Sequence, residues 1–87
     1  MSHIYYMQLT VEEIKKVIGG NIRRLRLEKK MSIKTVAIDS GMDYTQLSRI
    51  ELGKINTSIY QLYKISITLK VSLGEIVNAV NYFSGET

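Results

Sequence analysis

Eight of the chain's twelve basic residues (Lys15, Lys16, Arg23, Arg24, Arg26, Lys29, Lys30 and Lys34) fall between positions 15 and 34, and only Glu28 opposes them there. Cations at that density can neutralise successive charges of a polyanion such as nucleic acid; the plainer reading is a solvated helix face. The formal net charge of the 87 residues is only +4, so the placement of the charge is more informative than its sum.

Groups suited to covalent or acid–base chemistry are scarce and poorly placed. The one imidazole, His3, sits near the start of the chain, so a Ser–His or Cys–His pair has no base to draw on. Glu12 and Glu13 are neighbours on a helix and diverge, which rules them out as an acid–base pair. Gly19-Gly20 lacks the further glycines and the preceding strand of a dinucleotide loop. With no Cys and one His, a disulfide framework is excluded and a zinc site of the usual Cys/His kind is close to excluded. The reading is of a non-enzyme that needs no cofactor or metal.

The elements that would position a binding surface are helical. There is no Pro, so caps, Gly and polar loops must set the helix ends. Thr10 and Glu13 form a capping-box pattern. After them Ile14, Ile18, Ile22 and Leu25 make one apolar stripe. Gly19-Gly20 predicts either a start near Lys16 or a bend, since each Gly costs about 1 kcal/mol in a helix. Ser32 caps a short second helix that runs to about Ser40. Asp43 caps a third, with Gln46 at the position that reaches back. A fourth helix carries Leu62, Ile65 and Leu69 inward. The Ser72/Glu75 box opens a fifth, with Leu73, Ile76, Val77 and Val80. Ile4, Tyr5, Tyr6 and Met7 read as an arm, either loosely docked or pairing as a strand with a second subunit. The expected division is an arm over 1–10, a five-helix all-α domain over 11–80 and a tail over 81–87.

The middle of the chain meets the demands of two helices crossing through a tight turn. Ala37 is small where the second helix must pass, and Gly41, four residues on, permits a reversal through positive φ. Val36, Met42, Leu47 and Ile50 are spaced to seal the underside. Residues 22–77, about two-thirds of the chain, resemble the Cro and lambda-repressor-like (XRE-type) helix-turn-helix family. The resemblance lies in NIRRLRLEKKMS at 21–32, GMDYTQLSRIELGK at 41–54 and LKVSLGEI at 69–76. Its most specific part is Ser48 to Glu51 followed by Gly53 and Lys54.

The resemblance implies a recognition helix near 43–52 whose outward residues Tyr44, Thr45, Gln46 and Arg49 face base edges in the major groove. Their chemistry suits that role: Gln can bond adenine twice, Arg can bond guanine O6 and N7, and the Thr methyl can meet that of thymine. The resemblance also implies phosphate contacts from Ser32, Lys54 and Asn56, to which charge and placement add Lys34. Arg26 and Glu51 match a structural ion pair. Three departures stand out. Ile33 replaces the usual Gln, leaving an apolar group beside the DNA or turned inward. Lys30 and Lys70 replace Gly at helix ends, where a left-handed turn costs Lys about 1–2 kcal/mol. Thr57 stands where Pro is common.

The expectation is a sequence-specific regulator of transcription, a repressor acting on double-stranded DNA. The alternative is an antitoxin or other interaction module that keeps the fold and binds a protein, such as a toxin. One helix reads few base pairs, so a homodimer is expected, meeting around Val77, Val80, Tyr82 and Phe83 or through the arm. No signal-peptide pattern or apolar run near ~18 residues occurs, so a cytoplasmic, non-membrane protein is expected.

Overall fold

The Thr10 hydroxyl accepts the Glu13 N–H at 3.1 Å while the Glu13 carboxylate accepts the Thr10 N–H at 2.9 Å. That reciprocal cap starts α1 (Val11–Glu28) in the computed structural model, which describes residues 8–80. Four further helices follow: α2 (Ile33–Asp39), α3 (Tyr44–Glu51), α4 (Ile59–Leu69) and α5 (Leu73–Val77), with no strand among the described residues. The segments 1–7 and 81–87, with the arm's Ile4 to Met7 and the tail's Tyr82 and Phe83, lie outside the described residues.

Polar side chains start every helix. Ser32, Asp43, Ser58 and Ser72 each accept the backbone N–H three residues on, and Ser72 is met in return by Glu75. Helices α1 to α4 all end in the same way, with a residue at positive φ and two backbone bonds folding back over the last turn. The positive-φ residues are Lys30 (58°), Gly41 (74°), Gly53 (71°) and Lys70 (59°). At the first of these, Met31 N–H reaches Arg26 O at 3.1 Å and Lys30 N–H reaches Leu27 O at 3.0 Å. The two lysines therefore keep the turn that glycine would take more cheaply.

Two sequence expectations are corrected. α1 begins at Val11 rather than near Lys16 and is continuous through both glycines. The reason is the crossing with α3: a β-carbon on Gly19 would fall on the Ile50 carbonyl oxygen and stand 2.7 Å from that of Glu51. Nothing in the structure calls for Gly20, whose β-position meets no atom within 4 Å. The fifth helix, expected to reach Val80, ends at Val77. There the buried Asn21 amide donates to Ile76 O (2.8 Å) and Asn78 O (2.9 Å), and Asn78 turns to extended backbone.

The core lies where the helices converge. Ile22, Val36, Leu47, Ile50, Ile65, Leu69 and Ile76 are essentially excluded from solvent, with Ala37 and Met42 beside them. α3 packs against α1 and α2, whereas α4 packs chiefly on α2 and α5. A hydroxyl pair, Ser40 to Thr68 at 3.0 Å, ties the end of α2 to α4.

Candidate nucleic-acid interface

α3 is sealed on one side and open on the other. Leu47, Ile50 and Glu51 are buried, while Tyr44, Thr45 and Arg49 are exposed and Gln46 and Ser48 are half-buried. The period of the helix produces this split, since the inward residues recur at spacings of three and four. Asp43 Oδ1 accepts the Gln46 N–H at 2.7 Å. The return bond expected from the Gln46 side chain is not formed, in contrast to the boxes at Thr10 and Ser72. Its carboxamide is therefore not consumed by the cap. Tyr44, 56% exposed, does not bury its ring.

A buried ion pair fixes the height of this helix on the scaffold. Arg26 Nε and Nη2 donate to the two Glu51 oxygens at 2.7 and 2.9 Å, and Nη1 donates to Met31 O at 2.9 Å. One guanidinium thus ties α1 to the end of α3 and to the turn that leads into α2. The bond to Glu51 pushes the Arg26 pKa above its ordinary value, against the opposing effect of burial.

The four residues implied as phosphate contacts differ in what they have free. Lys34 and Lys54 are exposed and have no carboxylate within ion-pair distance among the described residues. Asn56 is exposed on the loop before α4. The Ser32 hydroxyl is occupied, accepting from Thr35 N–H at 3.1 Å and donating to the Thr35 hydroxyl at 3.0 Å. What it leaves for an anion is backbone N–H at the start of α2. Ile33 is half-buried and packs against the core, so of the two orientations open to it the inward one is taken.

Within the basic run, Lys15, Arg24 and Arg26 are held by carboxylates, but Lys16, Arg23, Lys29, Lys30 and Lys34 have no such partner among the described residues. Lys16 was not singled out by the sequence. A β-carbon on Gly53 would come within 2.9 Å of its Cγ, so its stem lies on the turn that carries Lys54. Only its charge hinted at this; the packing of α1 on the end of α3 is a tertiary fact. Among the described residues no group of three or more His, Cys, Asp or Glu is placed to hold a metal ion, and no helix is long and apolar enough to cross a membrane.

Two short helices joined through Gly41, the second with a sealed inner row and an open outer row, define a helix-turn-helix domain. Comparison with known proteins agrees. Residues 22–76 match the HTH_3 family model, described as Helix-turn-helix, and the chain belongs to that family. It is 35% identical over 65 residues to the uncharacterized HTH-type transcriptional regulator y4dJ of Sinorhizobium fredii, covering 75% of this chain and 84% of that protein. It is also 35% identical over 71 residues to the control protein C.MunI of a Mycoplasma species, covering 80% of this chain and 96% of that one. The restriction-modification controller protein C.AhdI of Aeromonas hydrophila superposes with a TM-score of 0.69 at 29% identity, over 71% of this chain and 94% of that chain. The protein is a DNA-binding transcriptional regulator.

Proposed function

We propose that α3 lies in the major groove of double-stranded DNA and reads base edges through Tyr44, Thr45, Gln46 and Arg49, the protein acting as a repressor. Lys34, Lys54, Asn56 and the backbone at Ser32 hold the flanking phosphates and set the register of the helix. Residues 11–80 form the DNA-binding unit, flanked by 1–10 and 81–87. The protein works in the cytoplasm as a homodimer, so that two copies of α3 reach half-sites about one helical turn apart. It binds and does not catalyse.

The observation that carries this reading is the outer row of α3. Arg49 and Thr45 stand open to solvent beside a Gln46 side chain that the cap has not taken up, and Lys34 on α2 and Lys54 after α3 are exposed with no ion-pair partner among the described residues. Burial of the opposite row means these side chains are held up by packing and not by each other. Selection from a randomised duplex pool at two salt concentrations tests it. A single recovered motif, bound with affinity that falls steeply with salt, is the expected result. A pool that stays random, or binding indifferent to salt, contradicts it.

A further inference from the structure

One line of exposed positions runs along α1. Lys16, Gly20, Arg23 and Leu27 are spaced four, three and four residues apart, which keeps them on one side of a helix, and Lys30 stands just past its end. All five are exposed, and the three cations have no carboxylate partner among the described residues. Glu12 and Glu13 precede the line, and Glu28 pairs with Arg24 to one side of it. A solvated face would account for the charges, but not for two residues on the line that give up stability. Gly20 lies inside a helix although its β-position meets no atom within 4 Å, so the fold does not ask for glycine there. Lys30 does the converse, holding a φ of 58° where glycine would be unstrained. The first opens room for a partner to come close to the helix backbone, and the second places a cation at the end of the same line. Lys70 bears the same strain elsewhere, but only on α1 do the two departures share a line with other cations.

We propose that this line is a further phosphate-binding surface, on which one sugar–phosphate strand of the DNA bound by α3 seats against α1, with its closest approach at Gly20. Both ends of the line adjoin the residues assigned to phosphate above. The Lys16 stem lies on the Gly53 turn that carries Lys54, and Lys30 is two residues before the Ser32 cap of the helix that carries Lys34. α1 crosses directly behind α3 at Gly19, so a duplex that admits α3 into its groove brings a strand toward the neighbouring side of α1. From Lys16 to Lys30 is about 21 Å at the helical rise, which spans several nucleotides of one strand. Leu27, 49% exposed and set between Arg23 and Lys30, suits contact with a deoxyribose rather than a phosphate. Such contacts carry no sequence information; they add affinity and fix the tilt of α3 in the groove. The proposal rests on the DNA reading and extends it beyond the helix-turn-helix, since Lys16 and Gly20 precede the residues that match the family.

Titration of the full chain against its selected duplex and a scrambled one, at several salt concentrations, tests it. Lys16→Ala/Arg23→Ala should weaken binding to both duplexes alike and lower the salt slope by about two. Gly20→Leu, which fills the gap and leaves every cation in place, should also lose affinity for both. Lys30→Gly should lower the slope by about one, whereas Lys70→Gly, with the same loss of charge and the same relief of strain, should leave it unchanged. Gly20→Leu and Lys30→Gly should melt at or above the wild-type temperature, so that weaker binding by either cannot come from unfolding. A double variant with the wild-type slope overturns the proposal, as does Gly20→Leu binding as tightly as the wild type, or a Lys70→Gly effect equal to that of Lys30→Gly. Motif selection separates the two claims. Unaltered slopes with the motif retained strike only the α1 surface, and a wild type that selects no motif strikes the base reading, while slopes on the scrambled duplex still decide the role of α1.

Discussion

A β-carbon on Gly19 would fall on the carbonyl oxygen of Ile50, so α1 and α3 cross backbone to backbone at this point. α3 is thus seated on a position where only hydrogen fits. Gly19→Ala should destabilise the fold by about 2–3 kcal/mol despite the better helix propensity of Ala. Gly20→Ala, in open space, should instead stabilise by about 1 kcal/mol. Urea denaturation of the two variants checks the contrast, and equal effects would mean the crossing is looser than described.

The Arg26–Glu51 pair is buried on both sides, with side chains 8% and 3% exposed. Removing one partner strands the other charge, so Glu51→Ala should cost about 3–5 kcal/mol. Joint replacement with Met and Leu should recover most of that loss. The Arg26 pKa is raised in the folded state, chiefly by the bond to Glu51. Its share of stability is therefore fully present below the unfolded value and lost only as pH rises through the folded one, far above neutral. Chemical denaturation of the single and double variants at pH 7 reads the difference.

Lys30 and Lys70 adopt φ of 58° and 59°, where a β-carbon is strained. Lys30→Gly and Lys70→Gly should each stabilise by about 1 kcal/mol, the relief of strain exceeding the extra freedom glycine gives the unfolded chain. Thermal melts of the two variants measure this. A lowered Tm would mean that the lysine side chains contribute more than their backbone costs.

Lys54 follows the positive-φ Gly53, on the turn against which Lys16 packs. Lys54→Ala should weaken binding to all duplexes alike and reduce the salt slope by about one. Titrations of matched and scrambled duplexes at several salt concentrations check it. A change confined to sequence preference would remove Lys54 from the phosphate set.

The fold was legible because its signals are local. Four of the five helix starts were read from a capping Thr, Ser or Asp, at Thr10, Ser32, Asp43 and Ser72, and the turn between α2 and α3 from Gly41; the cap at Ser58 was not singled out. What escaped the sequence depends on where distant segments meet. Gly19 looked like a weak point in a helix and is a crossing site, because the α3 backbone that demands it lies far along the chain. Ile33 left two orientations open until the core supplied one. Asn21 carried no signal, since the carbonyls it binds at Ile76 and Asn78 come from the far end of the domain. In α4 the period alone set Leu62, Ile65 and Leu69 inward, and they are buried, with Tyr60, Tyr63 and Ile67 exposed on the other side.

The central claim, that the outer row of α3 reads bases, is tested most directly by repeating duplex selection with Arg49→Ala. The expected result is a motif unchanged except at one base pair, where preference relaxes, with a loss of about 1–3 kcal/mol on the original site. A motif identical at every position, from a variant that binds as tightly as the wild type, would contradict it.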